Sequence, residues 1–259
     1  MQLKKSSYQT NGSRHRICIQ KGLLSKKNNI IKQLAHRCIS KGGRNSTGRI
    51  TIRHQGSGTK VKYHKVLTKN NLYCAIILAI IYSPRRSAFI SLNFDLNSKT
   101  FFKTLATNSL GVGSIITCEN KMTDFYLGCR TTIQSIPTGS IFNSLNVTNK
   151  IKFARSAGTY CQLLQKSTLF AKIRLPSGKI ITVVPQTAFG TLGIISNILH
   201  NKEYLGKAGK NRLCGVRPSV RGIAMNPVDH PHGGRTNGGI VSVTPWGIPT
   251  KGKPTVKQK

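Results

Sequence analysis

Five carboxylates accompany forty-one lysines and arginines in this 259-residue chain, giving a formal net charge of +36. Self-repulsion at that level disfavours a compact free protein and implies a polyanionic partner. A soluble protein that is merely basic ordinarily interleaves its lysines with carboxylates. The imbalance is also uneven. Residues 1–69 hold 17 cations and no acid, and residues 201–259 hold 11 cations against two acids. Two basic ends therefore flank a more ordinary centre. With 38% hydrophobic residues and 25 glycines, that centre has the apolar material for a core.

The most irregular stretch is GVRPSVRGIAMNPVDHPHGGRTNGG, residues 215–239, with three arginines, three prolines and six glycines. Pro218, Pro227 and Pro231 each remove a backbone donor and push the preceding residue toward extended backbone. Gly233, Gly234, Gly238 and Gly239 permit unusual dihedrals and close approach to another surface. The backbone groups of such a segment need partners from outside regular structure. With this charge, folded RNA is the expected source, and the stretch reads as an extended, RNA-embedded loop.

Residues 1–40 show short apolar pairs such as Ile30-Ile31 among lysines, with no sustained period, and read as disordered until RNA is bound. In KGGRNSTGRITIRHQGSGTK, Ile50 and Ile52 alternate with Arg49, Thr51 and Arg53, which predicts a surface strand with a cationic face. The centre is all-β in texture. YCAIILAIIYS reads as a buried strand, SPRR as a turn setting Arg85 and Arg86 at a strand edge, then SAFISLNF, FFKTLAT and SIITCE as strands. A first small barrel of OB type is expected over 61–120. A second, over 121–195, would contain GTYCQLLQ, LFAKIRL and KIITVVP, the last two joined through Pro176-Ser177-Gly178. In LFAKIRL, Leu169, Ala171, Ile173 and Leu175 share one face, opposite Lys172 and Arg174. KFARSAGTY reads as a loop carrying Lys152 and Arg155. LGIISNILHNKEYL reads as a short helix, within an irregular extension over 196–259. A basic arm over 1–60 completes the division.

Seven cysteines without a CxxC pair argue for free thiols rather than zinc or a disulfide framework. The start lacks the apolar stretch of a secretory signal. It is basic and Ser-containing, as in a transit peptide or in a working arm. The longest apolar run, Leu72–Ile81, is half of what a bilayer span needs, so no membrane segment is expected. Asp229-His230-Pro231-His232 is the one cluster with catalytic residue types. It lacks metal-ligand spacing and an adjacent nucleophile, so the histidines are expected to stack on or bond to nucleotides, with Asp229 bracing the loop. GKAGKNR lacks phosphate-loop spacing. Phe89, Phe94, Phe101 and Phe102 read as core rather than as a stacking platform. Trp246 reads as an anchor, against the second barrel or against a base.

GVRPSVRGIAMNPVDHPHGG resembles the signature of the universal large-subunit ribosomal protein L-two family, and GGRNSTGRITIRH, YSPRRSAFISL, SIPTGS, ARSAGTY, LGKAG and VTPWGIPTKGKP follow that family's order. The resemblance implies an all-β core, an OB-like barrel followed by an SH3-like barrel, with extended N- and C-terminal RNA-binding arms. It implies a structural constituent of the large subunit, not an enzyme, organising rRNA near the peptidyl-transferase centre. The partners implied are large-subunit rRNA, neighbouring ribosomal proteins and the small subunit. Carried over residue by residue, Arg44, Arg49, Arg53 and His54 are arm contacts; Arg85, Arg86 and Arg155 are barrel contacts. Lys207, Lys210, Arg217, Arg221, Asn226, His230, His232, Arg235 and Lys251 belong to the extension. After His232, the sequence HGGRTNGG departs from the bacterial pattern. The Ile-, Asn- and Lys-rich linkers resemble an organellar form in the mitochondrial matrix, a chloroplast or bacterial cytoplasmic form being the alternative. No cofactor is implied beyond magnesium carried by the RNA. The rival reading is a free single-strand RNA-binding module acting outside the ribosome, through exposed aromatics of the first barrel.

Overall fold

The computed structural model describes residues 2–252 apart from 23, 26–31, 57, 68–71, 121–123, 149 and 236–239. Ile30-Ile31, Gly238-Gly239 and the first residues of the expected second barrel lie outside the described residues. The chain forms two compact units, Met1–Ile39 with Thr59–Lys210, and Ser40–Gly58 with Asn211–Lys259.

The first unit is all-β in its core. β5 (Tyr73–Ile81), β6 (Ile90–Asp95), β7 (Phe101–Leu105) and β8 (Ile115–Glu119) make the OB-like half. β9 (Arg130–Thr132), β10 (Ile141–Thr148), β11 (Lys150–Phe153), β12 (Cys161–Lys166), β13 (Ala171–Arg174), β14 (Ile180–Val183) and β15 (Phe189–Leu192) make the SH3-like half. The halves share one eleven-stranded sheet, because β8 and β9 pair in parallel, Cys118 opposite Arg130. Alternation builds the core, including in β5, where a strand buried on both faces was expected. Tyr73, Ala75, Ile77, Ala79 and Ile81 point inward from β5, whereas Leu78 is exposed, so this strand is buried on one side only. Cys129, Ile133, Phe142, Leu145, Leu163 and Ile173 fill the SH3-like half. Phe189 and Ile195, late in the chain, pack into clusters of the OB-like half. At about 25 cal/mol per Å² of apolar surface, these fully buried side chains supply the main stabilising term.

Several local readings are corrected. Ala171, Ile173 and Leu175 are buried as expected, but Leu169 precedes β13 and is 81% exposed. Lys152 lies in β11, paired with β10, and the loop begins at Ala154. The expected helix before Gly206 is a 3-10 turn, Ile198–Lys202. Within the N-terminal region, β1 (Leu3–Lys5) pairs with β2 (Ile17–Ile19), and β3 (Ala35–Arg37) with β4 (Lys62–His64). The first hairpin is anchored by backbone bonds between Ile17 and Tyr204 and by Ile19 N–H donating to Glu203 Oε1 at 3.3 Å, contacts too distant in sequence to read locally.

Candidate nucleic-acid interface

In the second unit, residues 40–58 fold with the C-terminal extension. Gln55 bridges Val216; Gly56 N–H donates to Gly215 C=O at 2.6 Å and Arg217 N–H to His54 C=O at 2.8 Å. The strand expected around Ile50 and Ile52 does not form, and both side chains are exposed, 59% and 61%. Turn chemistry wins over alternation here. Asn45 Oδ1 accepts from the N–H groups of Thr47 and Arg49, both at 3.0 Å, an Asx-type turn. Gly43, at φ +78°, turns its carbonyl to the N–H groups of both Thr51 and Ile52. The resulting loop displays Arg44, Arg49, Arg53 and His54 on its surface. The Arg53 guanidinium lies 4.5 Å from the ring centre of Trp246, which is 70% exposed, so Trp246 anchors this loop to the tail that also carries Lys251.

The Pro/Gly loop supplies much of its own hydrogen bonding, contrary to the expectation that RNA would do so. A 3-10 turn, Gly222–Ala224, is followed by successive turns in which Asn226 C=O accepts from Asp229 and His230 N–H. The brace is histidine rather than Asp229, whose carboxylate is on the exposed side. His230 is buried; its Nδ1 accepts the His232 N–H at 3.0 Å, which fixes the proton of the neutral ring on Nε2. The two rings sit 4.7 Å apart. His232 Nε2 in turn lies 3.2 Å from Val243 N–H and 3.0 Å from Val241 C=O, tying the loop to the tail. Gly222 lies against the His230 ring and Gly233 against Asn226 C=O, contacts that leave no room for a side chain. Arg217, Arg221, Asn226 and Arg235 are exposed around this scaffold.

In the first unit, Arg85, Arg86, Lys152 and Arg155 meet at an open cleft of about 590 Å³, from opposite halves of the sheet. Arg85, Lys152 and Arg155 are exposed. Arg86 is held instead: its Nη2 donates to Tyr63 Oη at 2.7 Å and its Nε is buried. The single-turn helix α1 (Ala208–Leu213) places Lys210, partly buried, one turn from exposed Lys207.

Neither buried cation of the sheet, Lys103 or Arg130, was singled out in the sequence reading. Lys103 is 3% exposed, its Nζ donating to Leu34 C=O at 2.9 Å and facing His64 Nδ1 at 3.0 Å. Burial lowers the pKa of Lys103. Burial first, and then the Lys103 charge, lowers that of His64. The pair clamps the start of β3 onto β7. Its one sequence signal is that Lys103 shares an inward face with Leu105. Among the described residues there is no group of three or more His, Cys, Asp or Glu placed to hold a metal, and no helix long and apolar enough to cross a membrane.

Residues 31–118 match the family model described as Ribosomal Proteins L2, RNA binding N-terminal domain, and residues 126–247 match Ribosomal Proteins L2, C-terminal domain. The chain is similar to the large ribosomal subunit protein uL2 of Ehrlichia chaffeensis, 43% identical across 88% of this chain and 84% of the relative. It is similar to the large ribosomal subunit protein uL2m of Reclinomonas americana, 41% identical across 98% of this chain and 94% of the relative. The uL2 of Wolbachia pipientis is 40% identical, over 96% and 92%.

Proposed function

The chain belongs to the ribosomal protein L2 family, and from that premise we propose that it is a structural constituent of the large ribosomal subunit that binds and organises rRNA near the peptidyl-transferase centre. The observation that carries this reading is electrostatic. Five carboxylates cannot neutralise forty-one lysines and arginines, so most of these cations are left for an external polyanion. Each one that meets a phosphate releases counterion, adding about −0.7 to −0.9 to the log–log salt slope of binding. Arg44, Arg49, Arg53, His54, Arg85, Arg155, Lys207, Lys210, Arg217, Arg221, Asn226, Arg235 and Lys251 are the proposed contacts. Arg86, His230 and His232 are proposed to act mainly by holding the surfaces that carry them. His230 organises its loop and performs no catalysis. RNA of this kind is recognised through shape, 2′-hydroxyls and unpaired bases, which an extended Pro/Gly loop can reach.

Neighbouring ribosomal proteins and the small subunit across the interface complete the proposed partners. The proposed location is the mitochondrial ribosome, a reading supported by the Ile-, Asn- and Lys-rich linkers and by the likeness to the Reclinomonas americana uL2m, 41% identical over 98% of this chain. Sedimentation of the native protein tests the assignment. It is expected to travel with large subunits and to be released by high salt. A steady-state pool outside ribosomal particles would refute the structural role in favour of a free RNA-binding module.

A further inference from the structure

The basic cleft between the sheet halves does not end at Arg155. Through Thr159, Leu175, Pro176 and Ser177 it opens into a second cleft, of about 460 Å³, at the end of the SH3-like half. That volume lies within the ~300–1,000 Å³ typical of small-ligand sites. Three side chains in it have not been assigned a role. Tyr160 is 43% exposed, immediately before β12. Gln162 follows on the same outward face, because Cys161 between them points into the core at 0% exposure. Arg174 stands directly opposite Gln162 across β12 and β13 and is exposed. The Tyr160 hydroxyl, the Gln162 amide and the Arg174 guanidinium form no hydrogen bond with any described residue.

We infer that this second cleft takes a single unpaired nucleotide extruded from the rRNA, with its base on the Tyr160 ring. The inference rests on the RNA-binding role proposed above and adds a subsite to it. The chemistry of each group fits one part of a nucleotide. An exposed aromatic face stacks on any base. The Gln162 amide offers a donor and an acceptor to a base edge. Arg174 pairs with a phosphate in two-point fashion. The adjoining cleft with Arg85, Lys152 and Arg155 supplies the path for the flanking backbone. No carboxylate occurs between Asp124 and Glu203, so nothing in this half of the sheet repels the strand.

The test uses the full-length protein and two labelled RNA hairpins of identical stem, one carrying a single bulged adenosine, with binding followed by fluorescence anisotropy. The wild-type chain is expected to prefer the bulged hairpin. Tyr160→Ala weakens binding of that hairpin by about five- to 150-fold, the span measured for single base–aromatic stacks, and changes the paired hairpin less than about twofold. Tyr160→Phe keeps the preference, and Arg174→Ala lowers the salt slope by about 0.7 to 0.9. Circular dichroism checks that each variant is folded. A wild-type chain that binds both hairpins alike, or a Tyr160→Ala variant that keeps the preference, overturns the subsite and leaves the RNA-binding role standing. A chain that binds neither hairpin overturns both.

Discussion

Replacing Gly222 with alanine probes the loop at its tightest point. A methyl group on Gly222 would stand 2.5 Å from His230 Nδ1, 2.6 Å from Cε1 and 2.8 Å from Cγ. Favourable contact needs about 3.5–4.0 Å, so the imidazole has to retreat by roughly 1 Å. The ring is buried, and overpacking of this kind costs about 1–3 kcal/mol. The same retreat breaks the 3.0 Å bond from His232 N–H to Nδ1, worth about 1 kcal/mol. Together these come to about 2–4 kcal/mol, which at tenfold per 1.4 kcal/mol means a rise of about 25-fold or more in the open state. Amide hydrogen exchange of His232, measured by NMR on the RNA-free chain, reads that population directly. Gly209→Ala is the matched control: it adds the same methyl within α1, where nothing lies within 4 Å, and is expected to be neutral or stabilising by about 0.5–1 kcal/mol. Equal protection in wild type and Gly222→Ala would refute the packing argument. An unprotected His232 amide in wild type would refute the view that these turns support themselves without RNA.

Three further outcomes are expected. Because the folded-state pKa of His64 lies below its ordinary 6.5, the unfolded chain binds the extra proton more readily; stability from this group is present above about pH 6.5 and lost as pH falls below it. The fall in melting temperature between about pH 7 and pH 5 should shrink in His64→Gln, and an unchanged fall would remove His64 as its source. Gly43→Ala should destabilise the 41–58 loop by more than about 2 kcal/mol, combining positive φ with a collision against Ile52 C=O, whereas Gly48→Ala, at φ +81° in open space, should cost only about 1–2 kcal/mol; limited proteolysis that cleaves both equally would contradict this. Trp246 is the sole tryptophan, so Arg53→Ala, losing about 0.5–1 kcal/mol of cation–π attraction, should raise acrylamide quenching of its fluorescence; identical quenching would mean the pair is not formed in solution.

What the sequence determined by itself was local or compositional. The charge imbalance is a sum and needs no fold to be read. The strand at Tyr73–Ile81 follows from a short continuous apolar run, that at Ala171–Arg174 from period-two alternation, and the turn at Pro176–Gly178 from residues that bend the chain in any context. The family blocks were legible because they are contiguous. The tertiary structure decided the rest, since pairing between distant segments leaves no period behind. Gln55 and Val216, roughly 160 residues apart, are neighbours only in the fold. Ile50 and Ile52 alternate as a strand would, yet among the described residues no sheet takes them up, and the Asn45 turn prevails. Lys103 looks like any surface lysine until β3 and β4 cover it. His230 looks like a ligand for RNA, but its ring fills the space that Gly222 leaves empty, and that depends on two turns closing on each other.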